Sequence, residues 1–215
     1  MKVYGVVLSP FVRKVLAVCS IKGLEYEVEP VMPGTATPEY LLLSPLGKVP
    51  AFEDGELGIS DSSVICEYLE EKYPAVATTP SSPEDRARSR WLEEYGDSKL
   101  VESISPFFFE RRVKKLLGQG EADEAKLQRL ASEEIPACLT YLESQVPDSG
   151  FFFGELGVAD IAIAGPFING GYGGYEVETG AFPKTAAYIK RVVAHPVLTP
   201  ILAAEQEMLG AMFPE

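Results

Sequence analysis

The sequence predicts an α/β domain with a mixed four-stranded sheet, followed by an all-helical domain. Three observations lead to this prediction. Residues 2–31 read as strand, helix and strand. Residues 49–73 read as two strands joined by a tight turn and then a helix. After about residue 75 only helical spacing of the apolar residues recurs.

The first strand, helix and second strand form a βαβ unit. Residues 2–7 are rich in β-branched and aromatic side chains, which indicates a strand. Ser9 and Pro10 are typical of a helix start, and Gly23 of a helix end. Residues 25–31 alternate between polar and apolar, so a second strand parallel to the first is expected.

A hairpin and a third helix complete the first domain. A loop that contains Pro33 leads to a short helical turn at residues 38–43. Residues 49–53 and 57–60 are expected to pair as antiparallel strands around a turn at Asp54 and Gly55. A helix is then expected from Asp61 and Ser62 to Pro74, with an inner face formed by Val64, Ile65, Tyr68 and Leu69.

The proline-rich residues 76–83 predict a linker between a domain at residues 1–75 and a second domain at residues 84–215. The strongly apolar helix at residues 160–168 is expected at the centre of the second domain. Other expected parts of this domain are a helical segment at 84–117, a helix ending near 145, a glycine-rich loop at 169–180, and helices at 183–194 and 198–212.

Composition excludes several classes of function. The chain has 215 residues and a net charge of −13, so it lacks the basic surface that nucleic acids or acidic lipids require. No apolar run approaches the roughly 18 residues of a membrane-spanning helix, and no signal-peptide pattern is present. The three cysteines have no CxxC spacing, which predicts a cytoplasmic protein without disulfides. A single histidine, His195, excludes a multi-histidine metal centre.

Three motifs resemble those of the cytosolic glutathione transferases. They are KVYGVVLSPFVRKV at residues 2–15, GKVPAFEDGELGISDSSVICEYL at 47–69 and GELGVADIAIAGPF at 154–167. The resemblance is to the serine-type classes, of phi, tau, theta-like bacterial or similar kind. It implies a thioredoxin-like first domain, a cis peptide bond before Pro50, glutathione as co-substrate without a permanently bound cofactor, and a homodimer. An apolar hairpin around Phe52 is a further hint of a contact surface.

The resemblance also implies a glutathione site. The peptide groups of Val49, before Pro50, would contact the cysteinyl part. Ser62 and the start of its helix would hold the γ-glutamyl carboxylate, and Asp61 the ammonium group. Alternatively, Asp61 and Ser62 only cap the helix. Residues 40–43 lack the basic side chains found in some relatives, which leaves Lys48 for the glycyl carboxylate.

Ser9 matches the catalytic serine of the serine-type classes. A hydroxyl that donates to sulfur stabilises the thiolate, and each unit of pKa lowering requires about 1.4 kcal/mol. Ser9 can also be read as a helix cap, and the two roles are compatible. Tyr4 is the rival, since other classes use tyrosine, but it lies inside the first strand and is assigned to structure.

The resemblance places Phe11, Phe107, Phe108 and Arg111 at an electrophile pocket, with core packing as the alternative for the phenylalanines. The implied function is transfer of glutathione to a small hydrophobic electrophile. Two alternatives remain: a non-catalytic ligand carrier or interaction module, and a glutathione-dependent peroxidase. The motif at 154–167 departs from the family pattern, because Gly157 stands where Ser or Thr is usual. Glycine is an acceptable cap, so folding is expected to survive.

Overall fold

A computed structural model describes residues 1–32, 34–35 and 37–214. Pro33, in the predicted loop, lies outside the described residues. The four strands are β1 (Lys2–Tyr4), β2 (Glu27–Glu29), β3 (Ala51–Asp54) and β4 (Leu57–Ser60). They form one sheet in the order β2-β1-β3-β4, with β1 parallel to β2 and antiparallel to β3, and β3 antiparallel to β4. The predicted mixed sheet is confirmed.

The strands are shorter than predicted at four ends, namely the end of β1, both ends of β2 and the start of β3, and three of these ends have a backbone cause. β1 stops before Gly5, whose φ of 149° turns the chain out of the sheet. β2 stops before Pro30, and β3 begins after Pro50, because proline has no N–H to donate to a ladder. The turn between β3 and β4 consists of Gly55 and Glu56, one residue later than predicted, with Asp54 paired to Leu57.

The helices of the first domain are α1 (Pro10–Ile21), α2 (Pro38–Leu43) and α3 (Ser62–Lys72). The predicted inner face of α3 is partly wrong. Val64 is 51% exposed, whereas Cys66 is buried. The reason is that α3 packs on α1 and also faces the second domain, where Cys66 lines the same crevice as Ser89 and Val158.

The second domain is helical. Its elements are α4 (Pro83–Tyr95), α5 (Val101–Ile104), α6 (Pro106–Phe108), α7 (Lys114–Leu116), α8 (Glu124–Arg129), α9 (Ile135–Gln145), α10 (Val158–Tyr172), α11 (Pro183–Val193) and α12 (Thr199–Met212). Wide π-helical turns at Gly96–Leu100, Phe109–Val113 and Leu130–Glu134 join several of them. The division into domains at residues 75 and 84 stays a prediction.

Helix α10 is the centre of the second domain and packs on both α1 and α4. The predicted loop at 169–180 is wrong at its start, because α10 continues to Tyr172. The glycines there allow close packing. A Cβ on Gly170 would lie 2.6 Å from Ile104, and one on Gly173 would lie 2.2 Å from the backbone of Phe107.

Within the described ranges, the helices are too short or too polar to cross a bilayer. All three cysteines, Cys19, Cys66 and Cys138, are buried free thiols. Burial raises the pKa of the Cys19 thiol to about 12, so it stays protonated at neutral pH. The same range of the chain contains no group of three or more histidine, cysteine or acidic side chains arranged to hold a metal ion.

Candidate functional site

A cleft of about 290 Å³ opens between the first domain and helix α4 with the π-helical turn that follows it. It is lined by Phe11, Ser44, Leu46, Lys48, Val49, Pro50, Ser60, Asp61, Ser62, Ser63, Glu94, Asp97 and Ser98. The five residues that the family resemblance assigns to glutathione binding, Lys48, Val49, Pro50, Asp61 and Ser62, therefore all line one cleft. Clefts between domains are common ligand sites.

The Val49–Pro50 segment forms the end of the cleft that leads into β3. The Val49–Pro50 peptide bond is cis. The carbonyl oxygen of Lys48 accepts hydrogen bonds of 2.7 Å from both the Tyr40 hydroxyl and Ser44 Oγ. These bonds hold the segment to α2. In the described part of the chain, the N–H and C=O of Val49 make no hydrogen bond, so both are available to an extended ligand.

Asp61 and Ser62 lie where β4 leads into α3. Asp61 Oδ1 accepts hydrogen bonds from the N–H groups of Ser63 and Val64, at 3.0 and 3.1 Å. Asp61 is thus a helix cap, and it has a φ of 83°, which side chains with a Cβ rarely adopt. Ser62 is buried, and its N–H and hydroxyl bond to no described residue. An anion at this helix start would meet free donors and the positive end of the helix dipole.

The second domain adds charges to the cleft that the sequence motifs do not indicate. Asp97 and Glu94 add negative charge to a lining that also contains Asp61 and Lys48. The cleft therefore offers charges of both signs. A zwitterionic ligand, which has both an ammonium group and carboxylates, would find opposite charges in this lining.

Lys14 binds two residues of the cleft lining, Ser63 and Asp97, from the protein interior. It is buried on α1, and its Nζ donates to Asp97, to Glu93 Oε1 at 2.7 Å and to Ser63 Oγ at 3.0 Å. Burial acts to lower the pKa of Lys14, but the facing carboxylates outweigh it and raise the pKa above its usual range. A signal was present in the sequence: Arg13 and Lys14 are adjacent cations within an otherwise apolar helix.

Ser9 caps α1, as predicted for its alternative role. Its Oγ accepts a hydrogen bond from the Val12 N–H at 3.4 Å, which leaves the hydroxyl hydrogen free to donate. Among the described residues that line the cleft Ser9 itself is absent, but Phe11 is present. The loop before Ser9 touches the Val49 segment, since a Cβ on Gly5 would lie 3.1 Å from Val49 Cβ.

Tyr4, the rival to Ser9, is occupied elsewhere. Its hydroxyl donates to the carboxylate of Glu53 on β3. Burial, together with that carboxylate, raises the pKa of Tyr4 to about 12. A phenol that is already donating to a carboxylate is poorly suited to stabilise a thiolate, which agrees with the structural role expected for Tyr4.

The residues predicted for an electrophile pocket separate in the structure. Phe11 lines the cleft. Phe108 packs with Val6 and Leu8, on the loop that carries Ser9. Phe107 packs on Tyr175, with ring centroids 4.9 Å apart.

Arg111 lies away from the cleft and has partners of its own. Its guanidinium stacks 5.4 Å from the Phe107 ring, donates to the Gly173 carbonyl at 2.8 Å and pairs with Glu124. The structure therefore places Phe11 and Phe108 near the predicted site, and it does not bring Phe107 and Arg111 to the cleft.

A larger groove, of about 750 Å³, lies at the opposite end of β1. It is lined by Met1, Lys2, Leu24, Glu25, Tyr26, Glu27, Glu53 and Gly55. It is wide and open to solvent, and it contains none of the predicted site residues. We therefore assign the functional site to the smaller cleft, where unpaired donors and opposite charges converge.

Comparisons with known proteins agree with this geometry. Residues 3–81 match the family model described as glutathione S-transferase, N-terminal domain. A probable glutathione S-transferase from Glycine max is 33% identical over 163 residues, which cover 75% of this chain and 67% of that protein. A maleylacetoacetate isomerase from Pseudomonas aeruginosa is 30% identical over 214 residues, which cover 96% of this chain and 97% of that protein.

A solved structure extends the agreement to the whole fold. The crystal structure of a glutathione S-transferase from Rhodospirillum rubrum F11 superposes with a TM-score of 0.83 at 28% identity, covering 94% of this chain and 91% of that one. Its match includes the helical domain, beyond the residues that the family model covers. The chain belongs to the glutathione S-transferase family.

Proposed function

We propose that this protein binds glutathione in the cleft, stabilises its thiolate with the Ser9 hydroxyl, and transfers it to a small hydrophobic electrophile. One observation carries the proposal: Lys48, Val49, Asp61 and Ser62 line a single cleft that offers charges of both signs and backbone groups without partners in the described ranges. The γ-glutamyl carboxylate would lie at the start of α3, its ammonium beside Asp61, and the glycyl carboxylate near Lys48.

The chemistry requires only the thiolate as nucleophile. A free thiol has a pKa near 8.5, so only a few per cent is ionised at neutral pH. The donation from Ser9, together with the start of α1, would favour the charged form. Phe11, which lines the cleft, and Phe108, which packs on the loop that carries Ser9, are the residues best placed to contact an apolar electrophile. The proposed roles of Phe107 and Arg111 have less support, because each has a packing partner.

Titration calorimetry of glutathione tests the binding step. We expect Ser62→Ala to weaken binding by about tenfold or more, because an ionic hydrogen bond is worth about 1.5–3 kcal/mol. Ser144→Ala is the matched control, since Ser144 is an exposed serine that donates within its own helix. Absence of binding at millimolar glutathione would overturn the proposal and favour the alternative of a non-catalytic carrier or interaction module.

The electrophile is tested with a panel of aromatic halides, unsaturated carbonyl compounds and organic peroxides, with Ser9→Ala as the inactive control. Turnover of the peroxides alone would favour the peroxidase alternative, which needs the same thiolate. A second candidate is the activity named for the Pseudomonas aeruginosa relative, maleylacetoacetate isomerase, because that protein matches 96% of this chain. Maleylacetoacetate therefore belongs in the panel.

We also propose a cytoplasmic homodimer. Phe52, the residue that suggested a contact surface in the sequence, is fully buried inside the first domain and cannot form one. Exposed apolar side chains on neighbouring helices are better candidates: Val64 on α3 is 51% exposed and Trp91 on α4 is 53% exposed. Sedimentation at two protein concentrations tests the state, and a monomer at both would reject this part of the proposal.

A further inference from the structure

Asn169 on α10 reaches from the second domain to the loop that carries Ser9. Its Nδ2 donates a hydrogen bond of 2.8 Å to the carbonyl oxygen of Leu8, and the residue is only 3% exposed. A carbonyl oxygen can only accept hydrogen bonds, so the Nδ2 of the amide must be the atom that faces Leu8. The Oδ1 atom of the amide therefore points away from Leu8.

The peptide unit between Leu8 and Ser9 is held at both of its polar groups. The Leu8 carbonyl accepts from Asn169, and the Ser9 N–H donates to the Val6 carbonyl at 2.9 Å. These two bonds fix the plane of the peptide that leads into Ser9. Since the direction of the Cα–Cβ bond depends on that plane, they also orient the Ser9 hydroxyl.

The Oδ1 atom of Asn169 indicates why an amide side chain occurs at this position. Asn169 Oδ1 is buried and accepts no hydrogen bond from any residue in the described ranges. A buried acceptor without a partner costs about 1–3 kcal/mol. An apolar side chain would avoid that cost, but it would leave the Leu8 carbonyl without a donor. The bond to Leu8 is therefore the contact that accounts for an amide at this position.

A second contact, one helical turn earlier, makes α10 a rigid frame for this loop. Arg13 Nη1 donates to the Gly165 carbonyl at 3.1 Å, and Gly165 lies four residues before Asn169. A Cβ on Gly165 would lie 3.4 Å from Pro10 Cβ, so the two helices are in direct contact. The start of α1 and the preceding loop are thus both fixed from the second domain.

We propose that Asn169 is a positioning residue for Ser9. By holding the Leu8 carbonyl, it keeps the Ser9 hydroxyl directed at the sulfur of glutathione, and it acts through Ser9 rather than on the substrate. The inference rests on the proposed function of Ser9. It assigns to the second domain a part in thiol activation.

The test is the pKa of the glutathione thiol in the enzyme complex, read from the ultraviolet absorbance of the thiolate as pH is varied. We expect Asn169→Ala and Asn169→Leu to raise this pKa by about one unit and to lower kcat near neutral pH by about tenfold. KM for glutathione should change little, because the proposed binding residues lie on other elements. Asn169→Leu keeps a branched side chain, so it fills the site that Asn169→Ala leaves empty.

Two controls separate positioning from a general effect on folding. Thr185→Val removes another buried hydrogen bond, 2.8 Å to Glu143, on α11. It should lower stability without changing the thiol pKa. In a Ser9→Ala background, Asn169→Leu should cause no further rise in the thiol pKa, because the residue acts only through the hydroxyl.

Equal thiol pKa values in wild type and Asn169→Leu would overturn the role of Asn169 while leaving the proposed function intact. An equal increment in the Ser9→Ala background would overturn it as well. If wild type forms no thiolate with glutathione, the proposed function fails and the role of Asn169 fails with it. The wild-type titration therefore distinguishes the two failures.

Discussion

Glu205, near the end of the chain, pairs with Arg13, near its start. The guanidinium and carboxylate meet in a two-point contact, Nε to Oε1 at 2.6 Å and Nη2 to Oε2 at 2.8 Å, and both side chains are fully buried. The Tyr172 hydroxyl donates to the same carboxylate at 2.5 Å. Helices α1, α10 and α12 are thereby joined beside the loop that carries Ser9.

Breaking this pair on one side should be far more damaging than replacing it. We expect Glu205→Leu to lower the free energy of unfolding by about 3–5 kcal/mol, because it leaves a buried guanidinium without a counter-charge. The double variant Arg13→Met with Glu205→Leu should recover most of that loss, since no isolated charge remains. Urea unfolding measures both. A double variant as unstable as the sum of its single variants would contradict this account.

Gly157 stands where serine or threonine is usual in the family. Replacing it by serine is nevertheless expected to destabilise the protein. The Gly157 N–H donates to Asp160 Oδ2 at 2.9 Å, but glycine has no side chain to return a bond, so only half of a capping box exists. A Cβ on Gly157 would lie 2.6 Å from the Thr78 carbonyl oxygen, which already accepts a hydrogen bond of 3.0 Å from the Val158 N–H. The glycine lets the linker approach the start of α10.

We therefore expect Gly157→Ser to destabilise the protein by about 1–3 kcal/mol, as overpacking does, although serine is normally the better cap. Gly171→Ala, in the same helix, is the matched control. Nothing lies within 4 Å of its added Cβ, so it should be neutral or stabilising. Thermal unfolding compares the two. If Gly157→Ser unfolds at a higher temperature than wild type, the linker at Thr78 moves aside at little cost, and the expected overpacking is wrong.

Local signals in the sequence predicted most of the fold, whereas the first-domain residues of the candidate site followed from the family resemblance. Ser9 with Pro10 and Asp61 with Ser62 each begin a helix, because a cap is recognised within one turn of chain. The side chains that depend on distant partners were missed. Asn169 serves the Leu8 carbonyl, and Asp97 serves Lys14, and no local pattern connects members of such pairs.

The glycine-rich segment illustrates why composition alone was insufficient. The same glycines are typical of a flexible loop and of close helix packing. What decides between them is the backbone of Phe107, against which Gly173 lies, and this neighbour is distant in sequence. In α3 the predicted inner face failed at Val64, which is 51% exposed, whereas Ile65 and Leu69 are buried as predicted.

Lys14 is expected to affect glutathione binding as well as stability. Burial raises the pKa of Asp97, and the charge of Lys14 opposes that rise. Lys14→Met should leave Asp97 and Glu93 without their cation and release Ser63, which disturbs the lining of the cleft. We expect about tenfold weaker glutathione binding, measured by calorimetry, and a loss of about 3 kcal/mol in the free energy of unfolding.

Lys22→Met is the matched control for Lys14→Met. Lys22 is also a buried lysine associated with α1, paired with Glu70 at 2.7 Å, but it lies away from the cleft and donates to the carbonyls of Tyr73 and Val76. The Lys22→Met variant should have a lower free energy of unfolding but an unchanged affinity for glutathione. If both variants weaken binding equally, Lys14 has no specific role at the site.

Glu110 should give the protein part of its resistance to acid. Its carboxylate accepts from Lys114 at 2.8 Å, from Lys126 at 3.0 Å and from the Asp123 N–H at 3.1 Å. The two lysines, assisted by that N–H, lower the pKa of Glu110 from its usual 4.5 to about 2. Between these values the unfolded chain binds more protons than the folded one, so the stability from Glu110 is complete above about 4.5 and is lost as pH falls toward 2.

We therefore expect Glu110→Gln to lower the free energy of unfolding at neutral pH by about 3 kcal/mol, because it removes two ionic hydrogen bonds. The variant should also lose less stability than wild type as pH is lowered through that window, so the two curves converge near pH 2. Urea unfolding at a series of pH values measures this. Glu121→Gln, at an exposed position, is the control, and its free energy of unfolding should change with pH in parallel with that of wild type. Parallel curves for Glu110→Gln and wild type would mean that Glu110 does not carry the acid sensitivity.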